Sequence, residues 1–256
     1  MGMAEKLNWL RRFFGTMFGF VLFALAGIIF RIVLLPYTRN PQQNDLETQL
    51  KARRWVGLIW RFFVRYLLWA GVLDVKYQGF ERLGRKGQLI VANHPSLLDV
   101  VLIIAKESRL NCIVKQDLLK NPVLVAPILA SGFLPNTESE EMLEKSHHIL
   151  QNEALLLFPE GTRTGWDGVV NLHRGAVSIG LRSASVITPV VIKMSPPNFK
   201  KGQPWYKIPA KKITYDLTVC DDIDPQTLLR ETSLPIASRR LKKQLEQLFN
   251  SHTQSI

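Results

Sequence analysis

The sequence predicts an α/β fold: a mainly parallel sheet flanked by helices, with an N-terminal membrane-associating helical hairpin in front. Three observations carry this prediction. Short, apolar, β-branched runs fall at residues 72–80, 88–93, 111–115, 154–158, 186–192 and 212–220. Segments of helical periodicity lie between several of them, at 97–105, 122–131, 139–152 and 175–183, and an amphipathic helix closes the chain at 238–249. Strands alternating with helices build a parallel sheet covered on its faces. The third observation is a change of character near residue 72. Residues 1–72 read as membrane-anchoring hydrophobic and amphipathic helices, and residues 73–256 as one α/β domain.

Composition narrows the function classes. The 256 residues are 46% apolar and 21% charged, which excludes a disordered chain. Cys112 and Cys220 are too few for a disulfide framework or a thiolate metal site. Neither a His-Glu-x-x-His nor a Cys-x-x-Cys spacing occurs, so the sequence has no metal signature. The net charge of +12 is unevenly spread: ten basic and three acidic residues in 1–72 leave +7 there, and 23 against 18 leave +5 in the rest. Nucleic acid calls for a basic, polar surface, whereas a lipid surface calls for a basic, apolar one. The front end is of the second kind, so the expected partner is a membrane and not a nucleic acid.

Residues 13–30 form eighteen positions without a charge, about 27 Å as a helix and close to one hydrocarbon thickness. Arg31 interrupts the run and Pro36 ends it. Lys6, Arg11 and Arg12 precede it, while Arg39, Lys51, Arg53 and Arg54 follow, so charge sets no orientation. A cleaved leader, a single span and a hairpin dipping into one leaflet all fit such a run. The next helix, 49–73, favours the hairpin. There Lys51, Arg54, Arg61 and Arg65 form a cationic stripe, and Trp55, Leu58, Ile59, Phe62, Phe63, Leu67 and Trp69 occupy the other faces. That pattern suits an interfacial helix, and equally an amphipathic helix packed on the domain.

Ligands of parallel sheets sit beyond the C-terminal ends of strands. Two strand ends carry chemistry. After 88–92 comes Asn93-His94-Pro95-Ser96-Leu97-Leu98-Asp99. With a helix starting near Pro95, Asp99 reaches back to the imidazole, fixes its tautomer and leaves the other ring nitrogen as a base. After 154–157 comes Phe158-Pro159-Glu160-Gly161-Thr162-Arg163. Arg163 offers a two-pronged grip on an anion, Gly161 a close backbone approach, and Glu160 an acceptor for a hydroxyl or for Arg163. His147 and His148 are neighbours on one helix and point apart, and His173 sits in a turn.

These two clusters, in this order and spacing, resemble the glycerolipid acyltransferase family, whose best-known members are the bacterial 1-acyl-sn-glycerol-3-phosphate acyltransferases. The first cluster is similar to the family's N-H-x4-D block and the second matches its F-P-E-G-T-R block at all six positions. Val186-Ile187-Thr188-Pro189-Val190-Val191-Ile192 resembles its apolar strand with a central Pro. The likeness covers about residues 75–220. It implies an enzyme of phospholipid biosynthesis that moves an acyl group from a thioester to the free hydroxyl of a lysolipid, 1-acyl-sn-glycerol-3-phosphate first among them. His94 and Asp99 are then catalytic, and Asn93, Glu160, Gly161, Thr162 and Arg163 bind substrate. No metal or cofactor is expected beyond the co-substrate thioester, carried on coenzyme A or acyl carrier protein. The expected location is the inner membrane, with the active site on its cytoplasmic face.

One block departs from the family. Where its members carry an Arg against the substrate phosphate, this chain has Ser131-Gly132-Phe133-Leu134-Pro135-Asn136-Thr137, and no Lys or Arg occurs between Lys120 and Lys145. A neutral amide for a charged fork leaves the acceptor open between lysophosphatidate and a lyso-aminolipid or glycolipid precursor. A basic, aromatic loop at Lys200, Lys201, Trp205, Tyr206 and Lys207 offers a contact for head groups, donor phosphates or an acidic carrier. Ser96 is expected to cap its helix and not to act as a nucleophile. Asn93 or backbone N–H groups would meet the oxyanion. Two rival classes remain: a non-catalytic lipid-binding protein of the same fold, and a hydrolase, for which the Gly-x-Ser-x-Gly elbow is missing.

Overall fold

The computed structural model describes residues 2–137 and 139–253. Two long helices open the chain: α1 (Met3–Val33) and, after the short α2 (Leu35–Thr38), α3 (Leu46–Trp69). They run antiparallel, because Gly19 of α1 lies against Leu67 while Phe23 and Phe30 pack on Trp60. The hairpin is therefore present. Pro36 sits in the first turn of α2, where its missing N–H costs nothing, and Asp45 caps α3 by accepting from the Thr48 N–H at 2.8 Å.

The two helices bury different kinds of residue. α1 buries small ones, Gly15, Thr16, Gly19, Ala26 and Gly27, with Phe30, and leaves Phe14, Phe18, Val21, Leu25, Ile28 and Ile32 exposed. α1 is the one described helix long and apolar enough to cross a membrane. α3 buries Ala52, Val56, Trp60, Phe63, Val64 and Leu67 at three- and four-residue spacing. These join one core with the sheet residues Ile90, Ala92, Val190 and Ile192. The cationic stripe of α3 faces outward beside exposed Trp55, Leu58, Phe62 and Trp69. Arg53, which reads in the sequence as one more flanking charge, is instead fully buried.

The globular part begins with strands β1 (Leu73–Gln78) and β2 (Gln88–Ala92), followed by α4 (Asp99–Lys106). α3 packs closely on α4: an added Cβ at Gly57 would fall inside contact distance of Ser108 and Ile104. Strand β3 (Asn111–Lys115), α5 (Val125–Ala130), strand β4 (Leu134–Asn136) and α6 (Glu140–Leu150) follow. Then come β5 (Leu155–Leu157), α7 (Arg174–Ser183), β6 (Val186–Ser195), β7 (Ile213–Val219), α8 (Pro225–Glu231) and α9 (Leu234–Thr253). The strand order is β1-β7-β6-β2-β5-β3-β4, parallel at every junction except the antiparallel β6–β7 pair. This is the expected mainly parallel α/β sheet.

Alternation along β2 explains the two layers. Ile90 and Ala92 face the core shared with the hairpin, while Leu89 and Val91 face a second core that takes in α7 and α9 through Val177, Ile179, Leu241 and Phe249. β4 and α8 have no clear counterpart in the sequence pattern. β4 is three residues long with Pro135 at its centre, and α8 is held by the Asp224 side chain, which accepts from the Gln226 N–H.

Candidate active site

β2 and β5 are neighbouring parallel strands, with Leu89, Ile90 and Val91 paired to Leu155, Leu156 and Leu157. Their C-terminal ends therefore open side by side, and the two clusters, some sixty residues apart in sequence, meet. Backbone and side chain stitch them together. The His94 N–H donates to Glu160 Oε1 at 2.8 Å, Thr164 Oγ1 donates to the same oxygen at 2.9 Å, and the Thr164 N–H donates to the His94 carbonyl at 2.7 Å. Gly161 takes φ +61°, so the turn after β5 needs a residue without a Cβ penalty there.

His94 Nδ1 stands 2.7 Å from Asp99 Oδ2. Asp99 is fully buried and also accepts the Ser96 N–H at 2.7 Å and the Ser96 hydroxyl at 2.6 Å. A buried carboxylate with three donors stays an acceptor, which holds the His94 proton on Nδ1. Nε2 is left as the basic nitrogen, without a hydrogen-bond partner among the described residues, on a ring that lines a cavity and packs on Phe158 at 4.4 Å between centroids.

The helix here starts later than its sequence implies. α4 begins at Asp99, and residues 96–98 form a turn. Asp99 therefore meets His94 from the first helical position, not from one turn inside, and Ser96 serves as a hub of that turn and not as a helix cap.

The cavity encloses about 720 Å³. Its apolar wall includes Phe23 of α1, Val56 and Trp60 of α3, and Val101 and Ile104 of α4, so the hairpin supplies part of the lining. Its polar end carries His94, Glu160, Gly161, Thr162, Arg163 and Asn136. A second cavity of about 750 Å³ adjoins it, sharing Gly161 and His173 and adding Arg174 and Lys242.

Glu160 is buried, and desolvation raises its carboxyl above the ordinary range against the opposing His94 N–H and Thr164 bonds. Arg163 is half-buried, its guanidinium pushed down by desolvation, and its Nη1 donates to the Phe199 carbonyl at 2.9 Å. Asn93 does not line the cavity. Its buried amide clamps β6, donating to the Ile192 carbonyl at 2.9 Å and accepting the Ile192 N–H at 2.7 Å. The structure thus places the Asn93 side chain off the cavity lining, where it holds the strand-end loop to β6.

Lys200 is likewise not a head-group contact. It is buried, with Nζ donating to the Gly165 carbonyl at 2.6 Å and standing over the Trp166 ring. Desolvation lowers its ammonium. Trp205 of the same loop packs on Phe13 and Phe20 of α1, which ties the loop to the hairpin. Lys201 does reach the cavity, and so does Lys115 at the end of β3, 2.8 Å from Asp117. Lys115 is the residue that sequence reasoning passed over. The strand-end rule that singled out His94 and Glu160 points to it as well. His147 lies away from the site on α6, paired with Gln151. Among the described residues, no group of three or more His, Cys, Asp or Glu could hold a metal ion.

With the fold and the geometry of the site in place, the chain can be set beside proteins it is similar to. Residues 74–193 match the family model described as Acyltransferase. The 1-acyl-sn-glycerol-3-phosphate acyltransferase of Saccharomyces cerevisiae is 32% identical over 131 residues, 47% of this chain and 43% of that protein. A Caenorhabditis elegans relative, acl-2, is 26% identical over 183 residues, 62% of this chain and 63% of its own. The chain thus spans less than two thirds of the length of these curated relatives. The fold is that of the crystal structure of the 1-acyl-sn-glycerophosphate acyltransferase PlsC from Thermotoga maritima, with a TM-score of 0.71, 21% identity and 96% of each chain covered. The matched family model spans a little under half of the chain, residues 74–193, and takes in both strand-end clusters.

Proposed function

We propose that this protein transfers an acyl group from a thioester to the free hydroxyl of 1-acyl-sn-glycerol-3-phosphate. The observation that carries the proposal is the 2.7 Å contact between His94 Nδ1 and buried Asp99, on a ring that opens to a largely apolar cavity. His94 Nε2 takes the proton of the acceptor hydroxyl as its oxygen attacks the thioester carbonyl. Asp99 stabilises the imidazolium that forms. A new C–O ester bond replaces the C–S bond, the thiolate leaves, and the proton passes from His94 to the thiol. General-base catalysis of this kind contributes about 10²–10⁴ in rate.

In this reading Glu160, Gly161 and Thr162 shape the polar end, and Arg163 holds the acceptor's phosphate together with Lys115 and Lys201. Those two lysines supply, from other elements, the positive charge that Asn136 does not. Arg174 and Lys242 in the adjoining cavity suit the phosphates of a coenzyme A or acyl-carrier-protein arm. Residues 1–72 serve as the membrane-anchoring segment and 73–256 as the acyltransferase domain. The bare apolar side of α1, with Arg54, Arg61, Arg65 and Trp69 on the outer side of α3, supports docking on an anionic leaflet, which we assign to the cytoplasmic face of the inner membrane.

Asn136 on the cavity favours a second acceptor class, a lyso-aminolipid or a glycolipid precursor. One experiment separates them. Purified protein in mixed micelles is given a panel of lysolipids with acyl-coenzyme A and acyl carrier protein as donors, and thiol release and product mass are followed. Phosphatidate as the dominant product supports the proposal. An acylated neutral or amino lipid replaces the acceptor, and no turnover with any pair removes the enzyme reading.

A further inference from the structure

The carboxylate behind the proposed base is held by a chain of hydroxyls that ends on β7, one strand in from the edge of the sheet. Tyr215 lies on β7, fully buried, 119 positions along the sequence from Ser96. Its Oη is 3.0 Å from Ser96 Oγ, and Ser96 Oγ is 2.6 Å from Asp99 Oδ1. The Leu98 N–H also points at Ser96 Oγ, at 3.1 Å.

Counting donors and acceptors fixes the direction of every proton. A serine hydroxyl has one proton and two acceptor positions. The Leu98 N–H can only donate, and it fills one acceptor position. An ionised Asp99 can only accept, so the Ser96 proton lies toward Oδ1. The second acceptor position is then filled by Tyr215, which must donate. Burial and the nearby Asp99 charge raise the Tyr215 phenol, so it keeps its proton across the working pH range. The chain therefore runs one way: Tyr215 to Ser96 to Asp99, with His94 on the other carboxylate oxygen.

No cation takes over this work. The charged groups facing Asp99 from the neighbouring loops are Glu160, Arg163 and Lys200, and none hydrogen-bonds its carboxylate among the described residues. Without Tyr215, the Ser96 rotor loses one of the two donors that orient it.

We propose that Tyr215 is a positioning residue for the acyl transfer, acting through Ser96 to lock Asp99, and hence the tautomer and aim of His94. The proposal rests on the functional reading above and adds a residue that touches neither substrate nor the reacting atoms.

The test uses the full-length protein in micelles with two readouts. The first is steady-state kinetics with the best acceptor and donor found for the wild type. Tyr215→Phe keeps the buried ring and removes only the hydroxyl. It lowers kcat roughly 3–10-fold and leaves the acceptor KM within about twofold. Ser96→Ala costs more, roughly 10–100-fold, because it removes a bond to a charged group. Adding Tyr215→Phe to Ser96→Ala costs nothing further, since the chain is already cut.

The second readout does not depend on turnover. It is the proton resonance of the His94 Nδ1–H in histidine-labelled protein, identified by its loss in His94→Gln. It shifts in Tyr215→Phe and in Ser96→Ala. A purely structural Tyr215 predicts a lower thermal midpoint with the resonance and kcat unchanged, and that result overturns the proposal. If the wild type turns over no thioester, the functional reading fails, while the resonance still decides whether Tyr215 is coupled to His94.

Discussion

Arg53 and Glu153 form a buried ion pair across a hundred residues of sequence, tying the second helix of the hairpin to the start of β5. The Arg53 side chain has no exposure, and Glu153 has little. The guanidinium also donates to the Ser131 carbonyl at 2.8 Å and the Arg109 carbonyl at 3.0 Å. One side chain thus gathers α3, the loop before β3, the end of α5 and the entry to β5. The hairpin is keyed into the domain and not merely laid beside it, which is how Val56 and Trp60 come to line the cavity that holds His94.

Removing one partner of such a pair leaves the other buried and uncompensated, at a cost of about 3–5 kcal/mol. Arg53→Met lowers the thermal midpoint by on the order of 10 °C. The double variant Arg53→Met/Glu153→Gln recovers part of that loss. Thermal unfolding in detergent checks both. A single variant as stable as the wild type would mean that the pair does not hold the hairpin.

Glu160 predicts a pH signature. Desolvation raises its folded-state carboxyl above the ordinary value of 4.5. The folded state therefore binds the proton more tightly than the unfolded state. The stability this contributes is fully present below the unfolded pKa and is lost as pH rises through the folded one. Glu160→Gln removes that slope and keeps an oxygen for the His94 N–H and the Thr164 hydroxyl. The Gln variant gains stability relative to wild type between pH 4 and pH 8. Denaturant unfolding at the two pH values measures it, and an unchanged difference removes the claim.

In the proposed function Arg163 binds through geometry as well as charge. One prong is already held by the Phe199 carbonyl, which aims the rest of the fork at the cavity. Arg163→Lys keeps the charge and loses both the fork and that anchor. Its kcat/KM for lysophosphatidate falls at least about tenfold, and to within about threefold of Arg163→Ala. A Lys variant with wild-type kcat/KM would show that charge alone suffices.

Much of this was legible in the chain because it is local. Runs of β-branched residues marked six of the seven strands, and the strand-end rule brought His94, Asp99, Glu160 and Arg163 together because β2 and β5 are neighbours. β4 was not legible, since three residues around Pro135 carry no period and are a strand only by pairing with β3. Asn93 and Lys200 carry polar groups beside the motifs, yet their partners are backbone atoms of β6 and of the 164–165 loop, which no spacing reveals. Tyr215 and Arg53 are the same case over longer separations: their roles exist only once the sheet and hairpin have closed.

The central claim is that one imidazole, oriented by Asp99, deprotonates the acceptor. The direct measurement is the turnover number of purified His94→Ala beside wild type and Asp99→Asn, at saturating lysophosphatidate and thioester, read as thiol release. Both variants are expected to fall by at least about 10²-fold while keeping the wild-type thermal midpoint within a few degrees. A folded His94→Ala protein turning over within a few-fold of wild type would contradict the account.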